Sequence, residues 1–381
     1  MGRHKTALLE FFLVEDNLFT FVVRPDMPEF GINDKEPLVF EAQLGEAEVA
    51  ALVHKIRSTF LAINQLIEKN AGSLDTAVLD RLTETSLEQL NLLGRKVFSD
   101  ELLSSLEAFN AIYLVPFGQL HYLPLHAVSI KGQYLHDLFK IAYLPSASVL
   151  QYFTEKGKPA NPVKEACILG VDYRERSRFF ESEAQAVEQK LKEIGGWGIT
   201  AHTRQEATKE NLLSSANGKS LVHISSHGYF SKKDAMDSGA LLFGCPAAFD
   251  GEDVEHFQFV LTAKDIFEKL QLEADLVVLS ACVTGESLNK PGDELIGLTR
   301  ALMFAGANSA IVSLFPTFKN VTGHRSKELS HTLFSQFYHL WLVEGLSKAE
   351  ALQAYCQGIR REPIFQNPFL WFSYILVGDM G

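Results

Sequence analysis

Two residues at the ends of apolar runs carry side chains capable of covalent chemistry. His227 closes the run LVHISSH (221–227) and Cys282 closes LVVLSAC (276–282), 55 positions later. A free thiol, with a pKa of about 8.5, is only a few per cent thiolate at neutral pH. An imidazole beside it can accept its proton or, once protonated, hold the thiolate. The same imidazole can later return that proton to a leaving amine, so the pair suits acyl transfer. Gly228 follows the histidine. Without a Cβ, its backbone N–H can approach a substrate carbonyl and, with the N–H of Cys282, form an oxyanion hole. Each residue alone has a plainer reading, the cysteine as a small buried hydrophobe and the histidine as a satisfied polar group. Their joint occurrence, in the order His then Cys, favours a Cys–His dyad.

The remaining reactive residues give weaker signals. Cys167, Cys245 and Cys356 form no CxxC pair with one another or with Cys282 and read as core atoms, with neither a disulfide framework nor a structural zinc site indicated. His223 lies four residues before His227. In a strand that spacing is roughly 13 Å, too far for shared ligation, so no metal and no cofactor are expected. No G-x-S-x-G surrounds a serine, and neither GxxxxGK[ST] nor GxGxxG occurs. Asp293 and Glu294, just before the helical stretch 295–305, read first as cap and first-turn acids stabilised by the helix dipole. The alternative is that they line a specificity pocket for a basic side chain. The acidic segment 250–255 reads as a solvated loop.

Positioning these residues requires a particular scaffold. LLEFFLV (8–14) and LFTFVVR (18–24) flank a three-residue polar turn, a hairpin signal, and helical stretches follow at 51–70 and 75–97. From about residue 111 the texture changes. AIYLVP, KIAYLPS, ACILGV, LVHISSHG, ADLVVLSAC and SAIVSL are short, continuously apolar runs, the habit of parallel strands buried on both faces. Between them, 183–194 sets Ala184, Val187, Leu191 and Ile194 on one face and ends at Gly195, while Leu295, Leu298, Ala301, Leu302 and Ala305 do the same before Gly306. The alternation specifies an α/β protein with a doubly wound, mostly parallel sheet. In such sheets, function sits at the carboxyl ends of the strands.

Composition narrows the class further. The chain has 381 residues, 46% of them hydrophobic, and a net charge of −12. That permits a large core and removes the attraction to phosphate backbones on which nucleic-acid binders depend. No window reaches the roughly 18 apolar residues of a membrane span, and MGRHKTALLE lacks the apolar stretch of a signal peptide. A soluble, cytoplasmic protein with neither a nucleic-acid nor a membrane partner is expected.

The stretches SSHGYF (225–230), LVVLSACVTG (276–285), PGDELIGLTRALMFAGANSAIVSLF (291–315) and NPFLWFSYILVGD (367–379) together resemble a CHAT domain, the caspase-like fold related to separase. LVPFGQLHYLPLHAV (114–128) and IAYLPSASVL (141–150) resemble that family's N-terminal half. The resemblance implies a cysteine endopeptidase of the caspase clan, with His227 and Cys282 as the dyad and Gly228 at the oxyanion. It also implies a pseudo-caspase N-terminal half packed against a catalytic C-terminal half. The expected division is a hairpin-and-helix preface over 1–110, a regulatory region over 111–160 and the catalytic region over 161–381. Departures exist. Ser280 stands two residues before the cysteine where metacaspases carry an acid, which leaves Ser280, Asp293 and Glu294 as candidate substrate contacts. Phe315 replaces the usual tryptophan after the Gly-Asp-Glu helix. The resemblance further implies limited cleavage of a protein substrate, gasdermin-like or another effector, in a prokaryotic defence or cell-death pathway. The activator is expected to be a separate protein or complex. The alternative is a catalytically silent scaffold that acts by binding proteins.

Overall fold

The opening hairpin forms where its aromatic and β-branched runs predict it. In the computed structural model, β1 (Thr6–Val14) and β2 (Asn17–Val23) pair antiparallel about a two-residue turn in which Glu15 adopts a left-handed φ of 54°. The structure describes residues 5–25, 36–69, 75–150, 164–172, 179–229, 235–242, 258–282, 294–315 and 329–381. The chain continues through β3 (Leu38–Gln43), α1 (Glu46–Lys69), α2 (Thr76–Val97), α3 (Asp100–Ser105), β4 (Ala111–Val115), β5 (Ser129–Ile130), β6 (Gln133–Tyr134), α4 (Leu135–Leu138) and β7 (Lys140–Tyr143). Then come β8 (Glu165–Gly170), α5 (Phe179–Ile194), β9 (Gly198–Thr203), α6 (Lys209–Ser215), β10 (Leu221–Tyr229), β11 (Gly239–Leu241), β12 (Val260–Thr262), α7 (Ala263–Lys269) and β13 (Leu276–Cys282). The last elements are α8 (Glu294–Phe304), β14 (Ser309–Ser313), α9 (Leu329–Leu342), α10 (Lys348–Ile359) and β15 (Tyr374–Gly378).

Thirteen of these strands join one sheet. Its backbone is two parallel blocks. β1, β4, β7 and β15 run parallel as neighbours, and so do β9, β8, β10, β13 and β14. The blocks meet where β14 and β15 pair antiparallel, so their carboxyl ends lie at opposite ends of the sheet. β2 and β3 extend one edge, while β11 and β12 pair onto the tip of β10. The expected α/β class with a mostly parallel sheet is therefore observed. The last strand in the chain sits at the centre of the sheet, beside strands from the first 150 residues.

Helices cover the sheet where their apolar faces dictate. α5 packs on β8 and β10 and against α9, α8 packs on β14, and α10 packs on β7 and β15. The predicted face of α5 is buried at Ala184, Val187 and Leu191, but the helix starts four residues earlier than its periodicity suggests. Its first turn is anchored from a distance, since the amide of Glu181 donates to the Asp172 carboxylate just beyond β8, 3.1 Å away. α1 joins the same core through Phe60, whose ring stacks on Phe315 at 4.7 Å and 9° and also meets Phe369 and Phe372. Phe315, in the tryptophan position, is thus a packing residue. An ion cluster around one buried cation ties the blocks together: Lys348 Nζ lies 2.7 Å from Asp275, which precedes β13, and 3.2 Å from Asp379, which follows β15.

Candidate active site

β10 and β13 are neighbouring parallel strands whose registers run unbroken from Leu221↔Leu276 to His227↔Cys282. Each starts with Leu-Val and carries its reactive residue at the seventh position, so pairing of the starts brings positions 227 and 282 opposite one another. Adjacent strands lie roughly 4.8 Å apart, close enough for side chains at paired positions to interact. Both positions fall at the carboxyl ends of their strands, where functional groups of α/β sheets collect. His227 is half-buried, and its imidazole meets the ring of Phe180 edge-on, with centroids 4.7 Å apart at 79°. β10 runs on through Gly228 to Tyr229, and Gly228 pairs with Ala240 of β11, so the backbone beside the histidine belongs to a second, antiparallel ladder.

The other expected site residues divide. Ser280, offered as a substrate contact, is corrected: it is 2% exposed, and its hydroxyl bonds the phenol of Tyr374 on β15 at 2.9 Å. By the two-residue period it shares a strand face with position 282, but it lies two residues deeper in β13, within the packed interior. Glu294 is the first residue of α8, the place a first-turn acid occupies. Asp293 and the segment 283–293 that follows the cysteine lie outside the described residues, as do Cys245 and the acidic segment 250–255.

Sequence reasoning missed a polar cluster beneath the strand tip. His223, Ser225 and Glu183 are all fully buried. Ser225 Oγ donates to Glu183 Oε1 at 2.5 Å, and His223 Nε2 lies 3.0 Å from Ser225 Oγ and 3.3 Å from Glu183 Oε1. On its other side, His223 Nδ1 meets the Tyr338 hydroxyl at 2.9 Å. Burial alone would raise the Glu183 carboxyl, but hydrogen bonding and charge from His223, with hydrogen bonds from Ser225 and Ser280, outweigh it and hold the group below the usual carboxylate range. The available signal was spacing: 223, 225 and 227 share one strand face, and three polar residues on the face of a buried strand require partners.

Two cysteines behave as core. Cys167 and Cys356 are buried, and burial pushes each thiol up to about 12. Neither supplies a thiolate at neutral pH. Among the described residues, no group of three or more His, Cys, Asp or Glu could hold a metal ion, and no helix is long and apolar enough to cross a membrane.

The architecture is that of the caspase-like α/β fold. The structure aligns with separase from the Saccharomyces cerevisiae separase–securin complex, with a TM-score of 0.59 over 98% of this chain and 30% of that one. At 12% identity that likeness is one of fold. The CHAT domain matches residues 76–379, and the chain belongs to the CHAT-domain family. It is also similar to tetratricopeptide repeat protein 28 of Homo sapiens, at 27% identity over 309 residues, and of Mus musculus, at 24% over 310. Each alignment covers 70% of this chain and 12% of that protein, so the chain spans about an eighth of the length of these relatives.

Proposed function

We propose that this protein is a cysteine endopeptidase that makes limited cuts in a protein partner. The observation that carries this reading is the register of His227 opposite Cys282 at the carboxyl ends of adjacent parallel strands, within a caspase-like fold. In this scheme His227 takes the thiol proton of Cys282 and the thiolate attacks the scissile carbonyl. His227 then protonates the departing amine, and water hydrolyses the thioester to restore the thiol. The N–H groups of Gly228 and Cys282 hold the oxyanion, a role worth about 10²–10³-fold in rate per donor. Asp293 and Glu294, 11 and 12 residues after the cysteine, are the carboxylates that would select a basic side chain. The protein acts in the cytoplasm, in a defence or cell-death response, and its switch is a separate protein or complex. That separase was solved in complex with securin supports regulation of this fold by a bound protein.

The test is incubation with proteins encoded beside this one and mass spectrometry of new termini, for wild type, Cys282→Ala and His227→Ala. New termini from wild type, absent from both variants, are expected, together with covalent capture of Cys282 by a peptidyl acyloxymethyl ketone. Identical cleavage by Cys282→Ala would end this reading. Partner binding without labelling would establish the silent scaffold instead.

A further inference from the structure

The cluster beneath His227 is linked to it through one helix. α5 lies tightly on the sheet: a Cβ added at Gly170 of β8 would come within 2.4 Å of the Ala184 Cβ and 2.7 Å of the Phe180 carbonyl oxygen. From that close seat, the first two turns of α5 touch β10 at two levels. Phe180, fully buried, sets its ring edge-on against the His227 imidazole. Glu183, three residues on and therefore on the same helix face, receives the Ser225 hydroxyl and adjoins His223. Because the Ser225 hydrogen is directed at the carboxylate, the Ser225 oxygen accepts from His223 Nε2–H, and Nδ1 meets the Tyr338 hydroxyl of α9. Carboxylate, serine, histidine and tyrosine thus link helix, strand and second helix with no exposed member.

We infer that Glu183 is a positioning residue for the dyad: its buried carboxylate fixes the rotation and height of α5 on β10, and through Phe180 this fixes the orientation of the His227 imidazole. The inference rests on the peptidase reading for its catalytic consequence, but its structural part is testable without any substrate. A chain of packed, hydrogen-bonded contacts transmits position because displacing one member breaks the bonds it makes with the next. Neutralising Glu183 leaves Ser225 and His223 with a weaker acceptor and releases the turn that carries Phe180.

The experiment compares Glu183→Gln, Phe180→Leu and a control, Val187→Ala, which thins the packing of the same helix two turns away from Phe180. The first readout is the ¹⁵N signature of the His227 imidazole. Glu183→Gln and Phe180→Leu are expected to shift it, while Val187→Ala leaves it in place at a similar loss of melting temperature. The second readout is cleavage of the partner, with kcat falling about 10–100-fold and KM unchanged for the first two variants only. If Glu183→Gln does not fold, Ser225→Ala breaks the same link and is read the same way. An unmoved His227 signal in these variants, or an equal shift in Val187→Ala, overturns the inference. A wild type that never cleaves, with the His227 shifts as expected, removes the peptidase reading and leaves the positioning intact.

Discussion

Burial decides the thiol chemistry of two of the cysteines. Cys167, in the strand run ACILG, is walled in by its neighbours, which pushes its thiol up to about 12. Cys356, on α10, reaches the same value for the same reason. Treatment of the folded protein with iodoacetamide at pH 7.5, followed by peptide mass mapping, should leave Cys167 and Cys356 unmodified, and both should react after denaturation. Modification of either in the folded state would mean that the core opens there. Ser280 shows how far a residue-scale reading reaches. Its place two positions before the cysteine was visible, but not its bond to Tyr374, 94 residues away in the chain.

Elements were legible where a local pattern governs them. α2 starts after Asp75, whose carboxylate accepts from the Ala77 amide at 2.7 Å, and the helix ends at the predicted residue 97. α5 was legible only in its last three turns, because the carboxylate that receives its first-turn amide is Asp172, nine residues before Glu181. The same helix depends on a missing side chain. Gly170→Ala should push α5 off β8 and lower stability by about 1–3 kcal/mol, as overpacking does, read as a fall in the urea midpoint at constant m. An unchanged midpoint would show that α5 shifts freely. The Lys348 cluster is the firmer constraint. Lys348→Met removes the cation between two carboxylates, and breaking a buried pair costs roughly 3–5 kcal/mol. Here the lower end applies, because Asp275 and Asp379 are partly exposed. Equilibrium unfolding of the variant should show this loss, and a variant as stable as wild type would mean the cluster is dispensable.

At the scale of the molecule, three buried histidines make stability depend on acid. His121, His126 and His136 all lie in the connection between β4 and β7, and burial lowers their pKa values to about 4, about 3 and about 4, from 6.5. The unfolded chain therefore binds protons that the folded one refuses, so stability is intact above pH 6.5 and falls as the pH drops from there towards 4. The slope is at most about 1.4 kcal/mol per pH unit for each histidine. Urea titrations at pH 7.5, 6 and 5 should show the midpoint falling steadily, and replacing His136 with Phe should reduce the slope; a flat profile would contradict it. Below about pH 4.5 the carboxylate of Glu350, held at about 2 beside Lys140 and the Ser347 cap, starts to matter, and its contribution is lost as the pH falls on towards 2. Sequence alone determined the strand and helix runs, the equal length of the two runs that end in His227 and Cys282, and the α/β class, because these follow from side-chain periodicity along a few neighbouring residues. Only the tertiary structure decided that β15 closes the gap between the blocks, that the blocks run in opposite directions, and that Glu183 lies under the strand that carries His227. Those outcomes depend on contacts between residues tens to hundreds of positions apart, which no local pattern encodes.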